Sequence, residues 1–242
     1  MNQNYNIWGT KVWTGKLVML TTLLIATGFC VALGIHLRDY TGRDIYRYLN
    51  WDIFLGWVPI GLALCIDVFV KLRKSWIKNI LVVGAGIVWL LFYPNSVYLV
   101  TDTLHPFVHF EVPSGQRFLF HLEFWYHLFL FFVAAILGLG LGTYSLSSIQ
   151  QLVSERYGVV RSWIFAHIVL ILSSIGIYIG RFIRWNSWNA ITHPKSIWKD
   201  VIDIVTDPVQ LHFMFVFTAM IWVISLIGYF MMRGGMFMTR RG

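Results

Sequence analysis

Charged residues are scarce in this 242-residue chain. Asp, Glu, Lys and Arg make up only 12% of it, about half the share in a typical soluble domain, whereas hydrophobic residues make up 57%. The mean hydropathy is +0.66. A soluble protein of this length cannot bury so much apolar surface, so the composition excludes a soluble globular fold and favours an integral membrane protein.

Cysteines and metal-binding motifs are also scarce. The two cysteines, Cys30 and Cys65, lie within apolar runs, and we interpret them as small core residues rather than as a disulfide or a metal-binding pair. No HExxH or CxxC pattern is present, so the sequence predicts no metal site. His105 and His109 are the residues that come nearest to forming one. The sequence identifies no cofactor.

Six long apolar runs dominate the chain. A helix needs roughly 20 apolar residues to cross the core of a bilayer. We predict spans near residues 17–35, 51–70, 79–101, 122–142, 163–183 and 210–232. These spans use up most of the chain, so we predict an all-α bundle of six transmembrane helices that forms a single integral membrane domain over residues 1–242.

Basic residues are unevenly divided between the two sides of this bundle. The amino terminus, the second and fourth loops and the tail hold eleven Lys or Arg, whereas the opposite loops hold eight. Because short cytoplasmic loops are enriched in basic residues, we predict that both termini face the cytoplasm. The net charge of +8 is therefore explained by basic residues placed in the cytoplasmic loops and does not indicate a nucleic-acid partner.

The side reached after the first, third and fifth spans carries most of the groups suited to chemistry. All histidines except His167 and all carboxylates except Asp67 and Glu155 fall there. We call it the histidine-rich side. Its loops are expected to hold short amphipathic helices at the membrane interface, one starting at Thr41 and one over residues 198–205.

A proline interrupts the end of the third span. Pro94 cannot donate the usual helical hydrogen bond, and a carbonyl freed in lipid must find another partner. Asn95 and Tyr98 follow it closely. Two interpretations remain open: a kink whose polar neighbours satisfy the backbone, or an unwound segment that lines a cavity and binds a ligand through Asn95 and Tyr98.

A carboxylate and two imidazoles follow at helical spacing. Asp102, His105 and His109 are three and four residues apart, which would place them on one face of a helix. A carboxylate next to an imidazole suits acid–base chemistry, so Asp102 and His105 are the candidate catalytic residues. Pro106 fits this arrangement only if a new helical turn begins around it.

The fifth span ends in two arginines. Arg181 and Arg184 would share one face of a regular helix at the membrane boundary, where an arginine is costly unless it reaches lipid headgroups or pairs. Together with Asn186 and Trp188, two guanidinium groups would suit a phosphate or carboxylate ligand. The alternative partner is Asp102, expected at the same depth, and an ion pair with it would fix one helix against another.

Two small-residue motifs mark places where helices are expected to approach closely. Gly138-xxx-Gly142 lies in the fourth span and Gly176-xxx-Gly180 in the fifth. Six helices offer many partners within one chain, so we expect these motifs to pack inside the bundle rather than to form a dimer.

The proline and arginine stretches together resemble a bacterial membrane-protein family, the domain of unknown function numbered thirteen sixty-one. Its pattern is PNxxYxxTDxxH followed by GRFxRWNSW, matched here from Pro94 to His105 and from Gly180 to Trp188. The chain has Asn189 where the family usually has Asp. The resemblance spans roughly the second to the sixth helix. It implies a multi-pass protein of the bacterial plasma membrane and brings no activity, substrate or cofactor.

Three functions fit these residues. The first is a protein that binds or transports a small, phosphate-bearing or lipid-linked ligand through an outward-facing polar pocket; a transporter of six helices would be expected to dimerise. The second is an enzyme acting on a lipid headgroup at the outer leaflet, in which Arg181 holds a phosphate and Asp102 and His105 act as base and acid. The third is an accessory subunit whose ion pairs only join helices.

Overall fold

The computed structural model describes residues 5–110 and 120–238, with side chains at 15–107, 110, 120–189 and 192–233. In these ranges the chain is helical and contains no strand. The helices are α1 (Tyr5–Thr41), α2 (Tyr48–Lys71), α3 (Trp76–Phe92), α4 (Pro94–Tyr98), α5 (His105–His109), α6 (Leu122–Tyr157), α7 (Val159–Tyr178), α8 (Asn189–Thr192), α9 (Pro194–Thr206) and α10 (Pro208–Met238).

Six segments of the described chain are long and apolar enough to cross a membrane. They are Gly15–Thr41, Tyr48–Lys71, Trp76–Phe107, Leu122–Tyr157, Val159–Ile183 and Pro208–Arg233. The predicted all-α bundle of a multi-pass membrane protein is thereby confirmed. Large apolar side chains such as Trp76, Ile136 and Phe215 are mostly exposed on its outer surface, as contact with lipid tails requires.

The fourth span occupies the centre of the bundle. α6 packs against α1, α2, α4, α7 and α10. Its buried side chains include Phe131, Leu137 and Leu141, which form one apolar core with residues of α1 and α2. α6 therefore contacts most of the other spans, although one of its faces, with Phe132 and Ile136, stays exposed.

The third span is broken, as Pro94 predicts. α3 ends at Phe92, α4 lasts five residues, and a 3-10 turn over Thr101–Leu104 leads into α5. Glycines on two neighbouring helices make room for the broken part. A Cβ added at Gly138 would lie 2.3 Å from the Ser96 oxygen, and one at Gly176 would lie 2.9 Å from the Pro94 ring. Both motifs therefore pack inside the bundle.

The outer loops differ from the prediction in one place. No separate helix starts at Thr41: α1 continues to that residue, whose hydroxyl donates a 2.8 Å hydrogen bond back to the Leu37 carbonyl, and a short turn then leads to α2. Thr41 therefore ends a helix instead of capping a new one. The predicted helix over residues 198–205 is present as α9, with Ile204 buried and Trp198 exposed.

Candidate functional site

The two sequence motifs meet on the histidine-rich side of the bundle. Asn95, at the start of α4, donates a 3.0 Å hydrogen bond to the hydroxyl of Ser187, which follows the fifth span. The same amide group donates at 3.0 Å to the carbonyl of Phe92, the last residue of α3. Asn95 therefore satisfies a backbone carbonyl at the helix break and also joins the third span to the fifth.

Arg181 is the centre of the hydrogen-bond network between these spans. Its Nη1 donates to Asp102 Oδ1 at 2.9 Å, and its Nη2 donates to the Thr101 carbonyl at 3.0 Å. The Tyr98 hydroxyl lies 3.4 Å from Nη1, and the Tyr98 ring packs 5.6 Å from the guanidinium carbon. Asp102 is only 1% exposed, so this ion pair is well shielded from solvent.

His105 is held next to this ion pair. Its Nδ1 lies 3.1 Å from the Asp102 carbonyl oxygen and 3.5 Å from Arg181 Nη2. One ring nitrogen cannot donate to the first and accept from the second, so in a neutral imidazole the shorter contact is the one expected to take the Nδ1 proton. The ring lies between Tyr48 and Phe131, with centroid distances of 5.1 and 5.5 Å.

The local backbone explains why the two arginines are separated. The end of the fifth span, Ile179–Ile183, winds as a π-helix, and Arg184 ends it in the left-handed region with a φ of 65°. The extra residue in a π turn breaks the spacing that would place Arg181 and Arg184 on one face. Arg184 is exposed and does not line the cavity described below.

A cavity of about 510 Å³ opens beside Arg181. Among the predicted site residues, the lining includes Asn95, Tyr98, Asp102, His105, Arg181 and Asn186. Trp188, like Arg184, is not part of the lining. The side chain of His109 lies outside the described residues. The ligand-binding role of Arg184 and Trp188 thus stays a prediction. Neither residue lines this cavity.

The cavity has a polar end and an apolar end. Its apolar lining is formed largely by leucines: Leu55, Leu90, Leu91 and Leu172. Leu172 and Arg181 lie on the same span, separated by roughly 13 Å along the axis at 1.5 Å per residue. The cavity therefore runs from the charged groups near the membrane boundary towards the hydrocarbon region.

Two residues of the second span complete the polar end, and the motifs did not indicate them. Tyr48 and Asp52 lie one helical turn apart at the start of α2, and both line the cavity. Asp52 is close enough to Arg181 and Asp102 to interact electrostatically with both. A carboxylate in the first turns of a transmembrane span was the available signal, because such residues usually face protein or a water-filled cavity.

Trp185 and the outer helix form another wall. The indole nitrogen of Trp185 donates a 2.7 Å hydrogen bond to Asp200 Oδ2 on α9, and Ile197 of the same helix lines the cavity. The amphipathic helix α9 is thus joined to the site through a residue of the second motif.

A second polar cluster lies near the cavity, around the start of α6. The Tyr46 hydroxyl is 2.7 Å from Nδ1 of the fully buried His127, whose Nε2 is 3.4 Å from Glu123, and Arg43 pairs with that carboxylate. Glu123 and His127, four residues apart on α6, thus lie in contact with each other. Burial raises the pKa of the Tyr46 phenol above its usual range, so the hydroxyl stays protonated at neutral pH. This cluster ties the first outer loop to α6.

No group of three His, Cys, Asp or Glu residues within the described ranges could hold a metal ion. The Asn95 amide nitrogen and Asp102 Oδ1 are engaged in hydrogen bonds between the third and fifth spans. The polar end of the cavity brings together the carboxyl groups of Asp52 and Asp102, the Arg181 guanidinium group and the His105 imidazole.

The comparisons with known proteins give one match. A family model described as "Protein of unknown function (DUF1361)" matches residues 51–224, a range that contains both motifs. No curated protein and no solved structure matches the chain.

Proposed function

The chain belongs to the DUF1361 family, as its two motifs suggested, and from this premise we propose that it binds an amphiphilic ligand, a lipid or a lipid-linked molecule, in the cavity between α2, α4 and α7. We further propose that the membrane is the bacterial plasma membrane. On that proposal both termini lie in the cytoplasm and the cavity opens on the outer side.

The observation that carries this proposal is the division of the cavity into two ends. Asp52, Asp102 and Arg181 line one end, whereas Leu90 and Leu172 line the other. A site for a small hydrophilic solute has no need of an apolar extension into the hydrocarbon region. A ligand with a polar head and an apolar body matches both ends.

The depth of the cavity supports binding rather than conduction. Its lining, within the described residues, does not include Asp67 or His167, which lie within the second and fifth spans towards the opposite side. Asp67 lines a separate cavity with Lys16 and Glu155. A transport path would have to connect the two sides, and these two cavities share no lining residue.

An enzyme acting on the same ligand is the second candidate. The observation that favours it is the position of His105, whose Nδ1 lies 3.1 Å from the Asp102 carbonyl oxygen and whose ring lines the cavity next to Arg181. Asp102 would then support the imidazole and Arg181 would bind a headgroup oxygen. The third candidate, an accessory subunit, rests on the Arg181–Asp102 pair as a link between spans.

The proposed binding function can be tested by blocking the cavity. Gly180 lines it, and a Cβ there would meet the Tyr98 ring at 3.5 Å and the Trp185 carbonyl oxygen at 3.6 Å, both ordinary contact distances, so we expect the longer side chain of Gly180→Leu to occupy the cavity. Gly84→Leu is the matched control, because nothing lies within 4 Å of a Cβ at that position. The measurement is native mass spectrometry of lipid retained by protein purified in a mild detergent.

The wild type and Gly84→Leu should retain a lipid or lipid-linked molecule that Gly180→Leu loses. Equal retention by all three proteins would exclude this cavity as the binding site. Turnover of the retained molecule by the wild type, abolished in His105→Ala, would favour the enzyme over the binding protein.

A further inference from the structure

The charges at the polar end of the cavity do not balance. Two carboxylates, Asp52 and Asp102, face one guanidinium group. Arg181 directs its donors at Asp102, at the Thr101 carbonyl and at the Tyr98 hydroxyl. Arg181 is therefore paired with Asp102, and no cation in the described ranges is paired with the Asp52 carboxyl group.

Asp52 has no hydrogen bond or ion pair with any residue in the described ranges, and it interacts through space with Arg181 and with Asp102. Asp102 also lacks a hydrogen-bond donor on one of its two carboxylate oxygens. Oδ1 accepts from Arg181, but Oδ2 is buried and has no hydrogen-bond partner in the described part of the chain. A buried carboxylate oxygen without a hydrogen bond is unfavourable, so a donor brought by a ligand would be favoured there.

Because these two carboxyl groups lack hydrogen-bond donors, we propose that the amphiphile carries a primary ammonium group, which binds Asp52 and Asp102 Oδ2 at the polar end of the cavity. The inference rests on the proposed function and adds the chemical class of the headgroup. Three N–H donors and one positive charge supply what the two carboxylates lack.

A primary ammonium fits better than the other common headgroups. A trimethylammonium group brings charge but no N–H donor, so it would leave both carboxylate oxygens without hydrogen bonds. A phosphate alone would add negative charge beside two carboxylates. Asn95 offers a further acceptor, because its amide nitrogen already donates to Phe92 and Ser187 and its side-chain oxygen remains.

The test compares four single-chain ligands that differ only in their head, and a fifth that differs in its tail. Dodecylammonium, dodecyltrimethylammonium, dodecanol and dodecyl phosphate share one tail, and butylammonium keeps the ammonium with almost no tail. Binding to the full-length protein in phosphatidylcholine nanodiscs is measured by titration calorimetry, with empty nanodiscs subtracted. Gly180→Leu, which fills the cavity, separates binding in the cavity from partition into the bilayer.

We expect dodecylammonium to bind at least about tenfold more tightly than the other three dodecyl ligands, as one charged hydrogen bond implies. Asp52→Asn should remove most of this preference and leave dodecanol binding unchanged, and Asp52→Glu should restore part of it. Asp39→Asn, an exposed carboxylate on the same side, should behave as the wild type.

The outcomes separate the inference from the function on which it rests. Equal affinity for dodecanol or dodecyl phosphate, abolished by Gly180→Leu, would overturn the ammonium headgroup but leave the amphiphile site intact. Equal affinity for butylammonium would support the ammonium site and overturn a lipid as its source. Binding of every ligand unaffected by Gly180→Leu would overturn both. The series on the wild type tests the inference even where Asp52→Asn fails to fold.

Discussion

The main-chain oxygen of Ser96 lies so close to Gly138 that a Cβ at position 138 would stand 2.3 Å from it. The Ser96 hydroxyl donates a 2.7 Å hydrogen bond to the Gly56 carbonyl on α2, so α4 is held between the second and fourth spans. On the fifth span, Gly176 admits the ring of Pro94. The glycines of both motifs thus accommodate the broken third span, and this packing positions the cavity.

Gly138→Ala tests this packing directly. The added methyl group would force the broken segment away from α6, and overpacking of this kind costs about 1–3 kcal/mol of unfolding free energy. Unfolding in a titration with sodium dodecyl sulfate measures the loss. Gly84→Ala, with open space around its Cβ, is the control and should change the unfolding free energy by much less. Equal values for the two variants would contradict the close packing.

The Arg181–Asp102 pair should behave as a coupled unit. Arg181→Ala leaves a buried carboxylate without its partner, for which we expect a loss of about 3–5 kcal/mol in unfolding free energy. Asp102→Asn introduced together with Arg181→Ala should recover part of that loss. A double-mutant cycle by the same unfolding titration checks the coupling, and simple additivity of the two costs would show that the pair contributes no interaction energy.

The hydrogen bond from Trp185 to Asp200 should hold α9 against the site. Asp200→Ala removes the acceptor, so amide hydrogen exchange over residues 194–206 should become faster, with a local free-energy loss of about 1 kcal/mol. Exchange mass spectrometry measures this. Asp203→Ala on the same helix is the control, because the Asp203 side chain is exposed and its replacement removes no bond to Trp185. Identical exchange in both variants would refute the role of Asp200.

The proposed orientation can be checked with two exposed lysines on opposite sides. In a chain with Cys30 and Cys65 replaced by Ala, Lys199→Cys should react with a membrane-impermeant maleimide on intact bacterial cells. Lys74→Cys should react only after the membrane is opened, because the basic loops are expected in the cytoplasm. The opposite labelling pattern would reverse the topology and place the cavity on the inner side.

The sequence alone was sufficient to predict the number of spans, the interruption of the third span at Pro94 and the division of polar groups between two sides. Hydrophobic runs and proline chemistry are local properties, and each can be read from a short stretch of chain. The new helical turn at Pro106 was anticipated for the same reason, since α5 begins at His105 with the proline in its first turn. The amphipathic helix α9 follows from spacing between two prolines.

The contacts of the site were decided by the tertiary structure. Asp102 was one of two partners open to Arg181, and the choice depended on how the third and fifth spans rotate and tilt against α6. The π turn before Arg184 separated two arginines that a regular helix would have kept together. Asp52 joined the cavity only because α2 packs beside α4. Hydrophobic periodicity shows that a helix is buried, but the rotation of one helix against another is set by side-chain packing between residues far apart in the chain.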